Sequence, residues 1–252
     1  MSTATVQSID RAFEILEALG NCPNGMQVKE LSAALALNKS TVSRILLTLA
    51  SKGYVVKNKD NYYRLGMRLV DLCSFYLNSL QLKTEALPFL EELRNQTGLI
   101  VHLGSLDENE VVYLDKISSF NNIRMYSQIG KRAYVHCTGL GKAMLSRMSR
   151  EEVEEILAAK GLPMMTEYTC TDQKNFFAEL DQTRARGYAV DEQENEAGIR
   201  CVAAPVFDYR GNVIAAVSAT GFIDMFPKAR IEAMSVYVKK CAESISRSMG
   251  YR

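Results

Sequence analysis

NKSTVSRILLTLASKGYVVKNKDNYYRL, residues 38–65, is the stretch whose reading decides the fold of this chain. Its first half carries Val42, Ile45, Leu46 and Leu49 at i, i+3, i+4 and i+7, the spacing of one apolar face of an α-helix. Asn38 stands at the N-cap, where its side chain can satisfy a first-turn N–H. The outward side of the first two turns holds Lys39, Ser40, Thr41, Ser43 and Arg44. Short hydroxyls beside long cations match phosphate oxygens and base edges, so this is the expected face of a recognition helix in a major groove. After Gly53 the pattern changes. Tyr54-Val55-Val56 and Tyr62-Tyr63-Arg64-Leu65 flank a polar Lys57-Asn58-Lys59-Asp60-Asn61 turn, which reads as a hairpin. Lys57 and Lys59 near its tip, with Arg64 near its base, are expected on a phosphate backbone or in a minor groove.

Upstream, residues 8–20 (SIDRAFEILEALG) place Ile9, Phe13, Leu16 and Leu19 at near-helical spacing, with Ser8 as the expected cap and Gly20 as the stop. A Pro23-Asn24-Gly25 turn follows, then a short amphipathic segment over 28–35 with Leu31 and Leu35 on one side. Two short helices, a hydroxyl-rich helix and a basic hairpin, in that order, make a winged helix-turn-helix over residues 1–65. Arg11 and Gln27 complete the expected DNA-binding set. Charge agrees with this placement. Residues 1–65 carry eight Lys/Arg against five Asp/Glu, a net of +3, while the remainder carries 22 against 24, a net of −2. A basic module on a nearly neutral body points to nucleic acid at one end only.

Other classes are excluded by what the chain lacks. No run of 18 apolar residues suggests a membrane span, and the first eight residues have no signal-peptide pattern, so a cytoplasmic protein is expected. Six scattered cysteines without a C-x-x-C pair argue against a zinc ribbon or a disulfide framework. No nucleophile elbow, Walker loop or dinucleotide fingerprint occurs. His136 and Cys137, read as neighbours on a strand, point to opposite faces and make a poor dyad. The Glu192-Glu194-Glu196 run has no histidine at ligand spacing. No catalytic residue, metal or cofactor is therefore assigned.

Residues 66–82 (GMRLVDLCSFYLNSLQL) are apolar on more than one helical stripe, as expected of a helix that buries one side on its own chain and another on a partner subunit, or of one wholly buried within a single domain. The body over 83–252 then alternates. A helix is expected over 84–97, strands at 99–106, 111–117 and 123–129, and helices at 138–147, 149–160 and 171–186. A hairpin of 200–207 with 213–220 and a last helix over 227–249 follow. Antiparallel strands with flanking helices indicate an α+β domain around a central antiparallel sheet.

The stretches QSIDRAFEIL, LNKSTVSRILLTLASKGYV and YYRLGMRLVDL, with HCTGLGKAML and RGYAVDEQENEAGIRCVAAPVFDYRGNVIAAVSATG in the body, resemble the IclR family of transcription factors nearly end to end. The segment VHLGSLDENEVVYLDKI with IRMYSQIGKR is most similar to the branch containing the 2-keto-3-deoxygluconate regulator and related sugar-acid regulators. The resemblance implies a repressor, a GAF-like effector domain, a homodimer or homotetramer, and a small carboxylate effector, a sugar acid or keto acid from carbohydrate catabolism. It puts the effector against His102, Met125, Gly139, Leu140, Asp191, Cys201, Ser218 and Thr220. One departure bears on that site. Gly139 stands where the family often has alanine, so the shape of the pocket is expected to be this chain's own.

Overall fold

A computed structural model describes residues 5–79, 81–118 and 127–252, with only the helical backbone given for 74–79. The chain divides into two compact units, Met1–Ser79 and Leu80–Arg252.

The first unit runs α1 (Gln7–Gly20), α2 (Val28–Ala34), α3 (Lys39–Ser51), β1 (Val55–Lys57), β2 (Tyr63–Leu65) and α4 (Arg68–Ser79). Ile15, Leu19, Leu31, Val42, Leu46, Val55 and Tyr63 form its buried core. The apolar face expected for α3 is the one that packs, with Val42 and Leu46 fully buried and Ile45 and Leu49 at its edge. For α1 the expected stripe is corrected. Ile9 and Phe13 are 52% and 60% exposed, and the packing falls on Ile15 and Leu19. Ser8 does not cap this helix, which starts at Gln7 after an extended Val6. Asn38 does occupy the N-cap of α3 in extended conformation, although its side chain makes no cap bond.

The hairpin pairs Val55 with Leu65 and Lys57 with Tyr63, so Lys57 belongs to the strand and not to the turn. Asn58 shapes the turn, its Oδ1 accepting the N–H groups of Asp60 at 3.0 Å and Tyr62 at 2.8 Å. An isolated antiparallel bridge between Met26 and Tyr63 ties the hairpin to the segment before α2, a pairing too brief to show in the sequence. Gly25 makes the approach possible. Its φ is +81°, and a Cβ there would lie 2.5 Å from the Tyr63 carbonyl oxygen.

The second unit contains α5 (Gln81–Thr97), β3 (Ile100–Asp107), β4 (Glu110–Ile117), β5 (Arg132–Tyr134), α6 (Gly139–Leu145), α7 (Arg150–Lys160), α8 (Gln173–Arg186), β6 (Ala189–Glu192), β7 (Ile199–Phe207), β8 (Val213–Phe222) and α9 (Ile231–Ser248). Six antiparallel strands in the order β5-β4-β3-β8-β7-β6 form the sheet, giving the α+β architecture. On one face Val101, Leu103, Val202, Val206 and Val217 pack with Leu90 and Leu93 of α5 and Val238 and Ile245 of α9. On the other, Val111, Ala203 and Ala216 pack with Leu140, Met144 and Leu145 of α6 and Phe176 and Leu180 of α8. Both faces are covered. Strand β7 is therefore buried at every position but its last, and shows no polar alternation.

Strands β5 and β6, three and four residues long, escaped the sequence reading because so few residues cannot establish a period. The strand expected over 123–129 lies mostly on residues 119–126, outside the described residues, as does Met125; Ser127 and Gln128 are not in a strand. Helix boundaries follow their caps. Ser149 and Glu152 form a capping box on α7, Asp172 accepts the Asn175 N–H at 2.8 Å on α8, and Gly187 closes α8 at φ +80°.

Candidate nucleic-acid interface and ligand cavity

Helix α3 carries Lys39, Ser40 and Arg44 exposed, with Thr41 and Ser43 half-buried beside them. Lys59 stands exposed in the hairpin turn. Among the described residues Lys39, Arg44 and Lys59 make no ion pair, so their charge is available to a partner. Arg11 of α1 joins Thr41 and Arg44 in lining one open recess of about 480 Å³, which places a cation of the first helix beside the third. The remaining three candidates have work within the fold. Gln27 donates from Nε2 to the Asp60 carbonyl at 3.3 Å, and Arg64 donates from Nε to the Asn24 carbonyl at 3.0 Å. Lys57 lies 5.6 Å above the Tyr63 ring.

In the second unit, sheet register assembles residues that are far apart in sequence. Asp191 pairs with Cys201, Cys201 with Thr220, and Thr220 with Ile100, forming one row across four strands. The next row runs Ala189, Ala203, Ser218, His102 and Lys116. Residues in a row point to one face of the sheet. Small side chains in the second row let α6 lie close, and all seven of its residues are buried. Gly139 touches the sheet most tightly. A Cβ there would sit 2.9 Å from Cys201 Sγ and 3.3 Å from Ala203 Cβ.

Between α6 and these rows lies a cavity of about 30 Å³, room for one or two water molecules. His102, Gly139, Leu140, Asp191, Cys201, Ser218 and Thr220 line it, seven of the eight residues assigned from the sequence. His102 is the hub of its polar network. Its Nε2 lies 2.8 Å from Ser127 Oγ, and its Nδ1 lies 3.5 Å from Ser218 Oγ and 3.4 Å from Thr220 Oγ1. Burial, reinforced by the Lys116 charge, lowers its pKa to about 3, so the ring is neutral. Burial raises Asp191 to about 7, against the pull of Lys142.

These observations can be set beside known proteins. Residues 8–59 match the model of the IclR helix-turn-helix domain, and residues 74–247 match that of the bacterial transcriptional regulator IclR C-terminal domain. The chain belongs to the IclR family. It is 38% identical to the HTH-type transcriptional regulator KdgR of Escherichia coli, across 98% of this chain and 94% of that one. Identity to the regulator XynR of the same organism is 34%, covering 98% of each. The crystal structure of the Thermotoga maritima IclR superposes with a TM-score of 0.84 at 35% identity, over 97% of this chain and 99% of that one. An IclR homologue from Microbacterium hydrocarbonoxydans, complexed with 4-hydroxybenzoate, gives 0.84 at 26% identity, over 96% and 98%. This chain is thus a DNA-binding transcriptional regulator, and its resemblance to the KdgR branch holds. Among the described residues no helix is long and apolar enough to cross a membrane.

In this IclR-family fold the cavity has further walls that the sequence reading did not assign. Tyr113, Ser127, Thr138, Asn195, Glu196 and Ile199 also line it. Thr138, Asn195, Glu196 and Ile199 lie inside the family-like stretches, where proximity to Gly139 and Asp191 was a usable signal. Tyr113 and Ser127 also lie in stretches similar to the sugar-acid branch, Ser127 two residues from Met125, but only strand pairing and chain path bring them to the cavity. Below the cavity, Lys142 of α6 is fully buried and ion-paired to Glu194 and, at 2.6 Å, to Glu179. Burial opposes its charge, but Glu194, Glu179 and Asp191 together outweigh that and raise its pKa.

The acidic run noted in the sequence is divided among separate tasks. Glu192 pairs with Arg200 at 2.5 Å, Glu194 pairs with Lys142, and Glu196 faces the cavity. His136 and Cys137 lie in a turn after β5 and not on a strand, so the expected geometry is corrected. His136 Nε2 is held by the Pro163 carbonyl at 3.0 Å. Burial pushes the Cys137 and Cys201 thiols up to about 12, which keeps both protonated and unreactive.

Proposed function

We propose that this IclR-family regulator is a cytoplasmic repressor whose operator affinity is set by a small carboxylate, a sugar acid or keto acid, held in the cavity beneath α6. The observation that carries the reading is the convergence of His102, Asp191, Cys201, Ser218 and Thr220, from four strands, on one cavity. Five polar side chains around one cavity supply the several hydrogen-bond partners that a small acid needs. Lys39, Ser40, Thr41, Ser43 and Arg44 would reach base edges and phosphates, with Arg11 and Lys59 on the backbone. Gln27, Lys57 and Arg64 would contribute mainly by holding the hairpin in place.

Dimerisation belongs to the same proposal. Val70 and Leu72 of α4 are 54% and 45% exposed, as are Ile9 and Phe13 of α1 to a similar degree. An apolar surface of that kind suits a second copy, and two copies would present two recognition helices to two half-sites. The test is titration of the purified protein against its own upstream intergenic DNA, with and without a panel of sugar acids and short keto acids. Nanomolar, sequence-preferring binding that one acid releases is the expected result. Binding no tighter than to random DNA at matched salt, and unmoved by any acid, would refute the proposal.

A further inference from the structure

The charge count around the cavity is unbalanced for the ligand it is proposed to hold. Among the described residues no cation lines it, while two carboxylates do: Glu196, whose charge is met by that of Lys116, and Asp191. Lys142 of α6 is the ammonium beside Asp191, and it is committed to Glu179 of α8 and Glu194. Three carboxylates around one buried ammonium leave two negative charges uncompensated if all are ionised. Asp191 is 5% exposed, and its Oδ1 already accepts the Glu194 N–H at 2.8 Å and the Asn195 N–H at 3.4 Å. Among the described residues no Lys, Arg or His nitrogen lies within 4.0 Å of either oxygen.

The other titratable groups facing Asp191 do not supply the missing charge. His102 of β3 is neutral, and Tyr113 of β4, Cys137 and Cys201 of β7 are held protonated by burial. Lys116 of β4, which donates to the Ser127 carbonyl at 2.7 Å, keeps its charge but acts on Glu196, and Arg200 of β7 is paired with Glu192. An anion brought against an ionised Asp191 here would meet repulsion in a medium that screens it poorly. One proton removes the conflict, and burial already raises Asp191 to about 7.

We propose that an acid ligand is held in this cavity together with one proton, carried by Asp191 as a carboxylic acid that donates a hydrogen bond to the ligand. The inference rests on the effector reading above and specifies its chemistry. A ligand carboxylate enters ionised, Asp191 takes one proton from solvent where it does not already hold one, and only that O–H bond forms. Affinity is then flat below the titration of Asp191 and falls about tenfold per pH unit above it. An acidifying cell would be more responsive to the same concentration of effector.

Two measurements on the full-length protein test this. The first needs no ligand: the infrared carbonyl band of a protonated carboxyl group, compared between wild type and Asp191→Asn. Expected is a band at about pH 6 that disappears as the pH rises past about 7 and is absent from the variant. The second is calorimetry with pyruvate, gluconate and 2-keto-3-deoxygluconate in phosphate and in Tris, at about pH 6 and about pH 8. Expected is uptake of about one proton per ligand at the higher pH, and none at the lower. Absence of the infrared band, or binding at the higher pH without proton uptake, overturns the inference and leaves the effector reading intact. Failure of all three acids to bind at either pH overturns the effector reading, and this inference falls with it.

Discussion

Gly139→Ala places one methyl group at the tightest contact between α6 and the sheet. The added carbon would lie 2.9 Å from Cys201 Sγ and 3.3 Å from Ala203 Cβ, against an ordinary van der Waals separation of about 3.5–4 Å. Cys201 and its neighbour across the strands, Thr220, are both buried, so the sulfur has only the small cavity beside it to move into. Overpacking of a closed core costs about 1–3 kcal/mol. Alanine recovers at most about 1 kcal/mol through helix propensity, and less at the first helical position. Gly139 is not in the left-handed region, so backbone strain adds nothing. Cys201→Ala takes away the sulfur and leaves its Cβ, 3.7 Å from the new methyl, an ordinary contact. The two changes should therefore couple. Equilibrium urea unfolding of the wild type, both single variants and the double variant, followed by circular dichroism, measures the coupling directly. We expect the double variant to be more stable than the sum of the singles predicts by about 1–3 kcal/mol. Additivity within about 0.5 kcal/mol would refute the claim that Gly139 is there to make room for Cys201.

Arg44→Ala should weaken operator binding by about 1–3 kcal/mol and relax preference at one base position, read by gel shift on single-base operator variants; an unaltered preference removes Arg44 from base readout. Lys59→Ala should weaken binding on every sequence alike and lower the slope of log K against log salt by about one, and a wild-type slope would mean the hairpin turn does not touch phosphate. Lys142→Met leaves Glu179 and Glu194 facing each other without their cation and should cost about 3–5 kcal/mol in unfolding free energy at neutral pH; a loss below about 1 kcal/mol would contradict a buried charge cluster. Asp191 has a folded pKa raised to about 7 against about 3.9 in the unfolded chain, so the stability it contributes is complete below about pH 4 and is lost as the pH climbs through 7. Asp191→Asn should abolish that decline, worth about 4 kcal/mol over some three pKa units, and parallel stability profiles for the two proteins would show that Asp191 does not titrate there.

Much of the first unit is local and was legible for that reason. The α3 stripe, the polar turn of the hairpin and the cations around them lie within 28 consecutive residues, and helical and strand periods report such order directly. The α1 stripe was misjudged because period alone does not say which apolar residues face the chain's own core. Ile9 and Phe13 keep helical spacing yet stay exposed, while Ile15 and Leu19 take the packing. In the second unit the long strands β3, β4, β7 and β8 and the capped helices α7 and α8 could be read from composition and caps. Strands β5 and β6 could not, since their pairing partners define them more than their own few residues do.

The cavity divides in the same way. Its residues were named from stretches that resemble a family, and the chain's own residues determined which chemistry was present: a carboxylate, a histidine, a thiol and hydroxyls. Only the tertiary structure decided that His102 and Ser218 share a row, that Cys201 lies against Gly139, and that Lys142 belongs to Glu179 and Glu194 and not to Asp191. Local sequence records torsional preference and periodicity; register between strands, and the desolvation that sets a buried carboxyl's charge, exist only once distant segments are packed together.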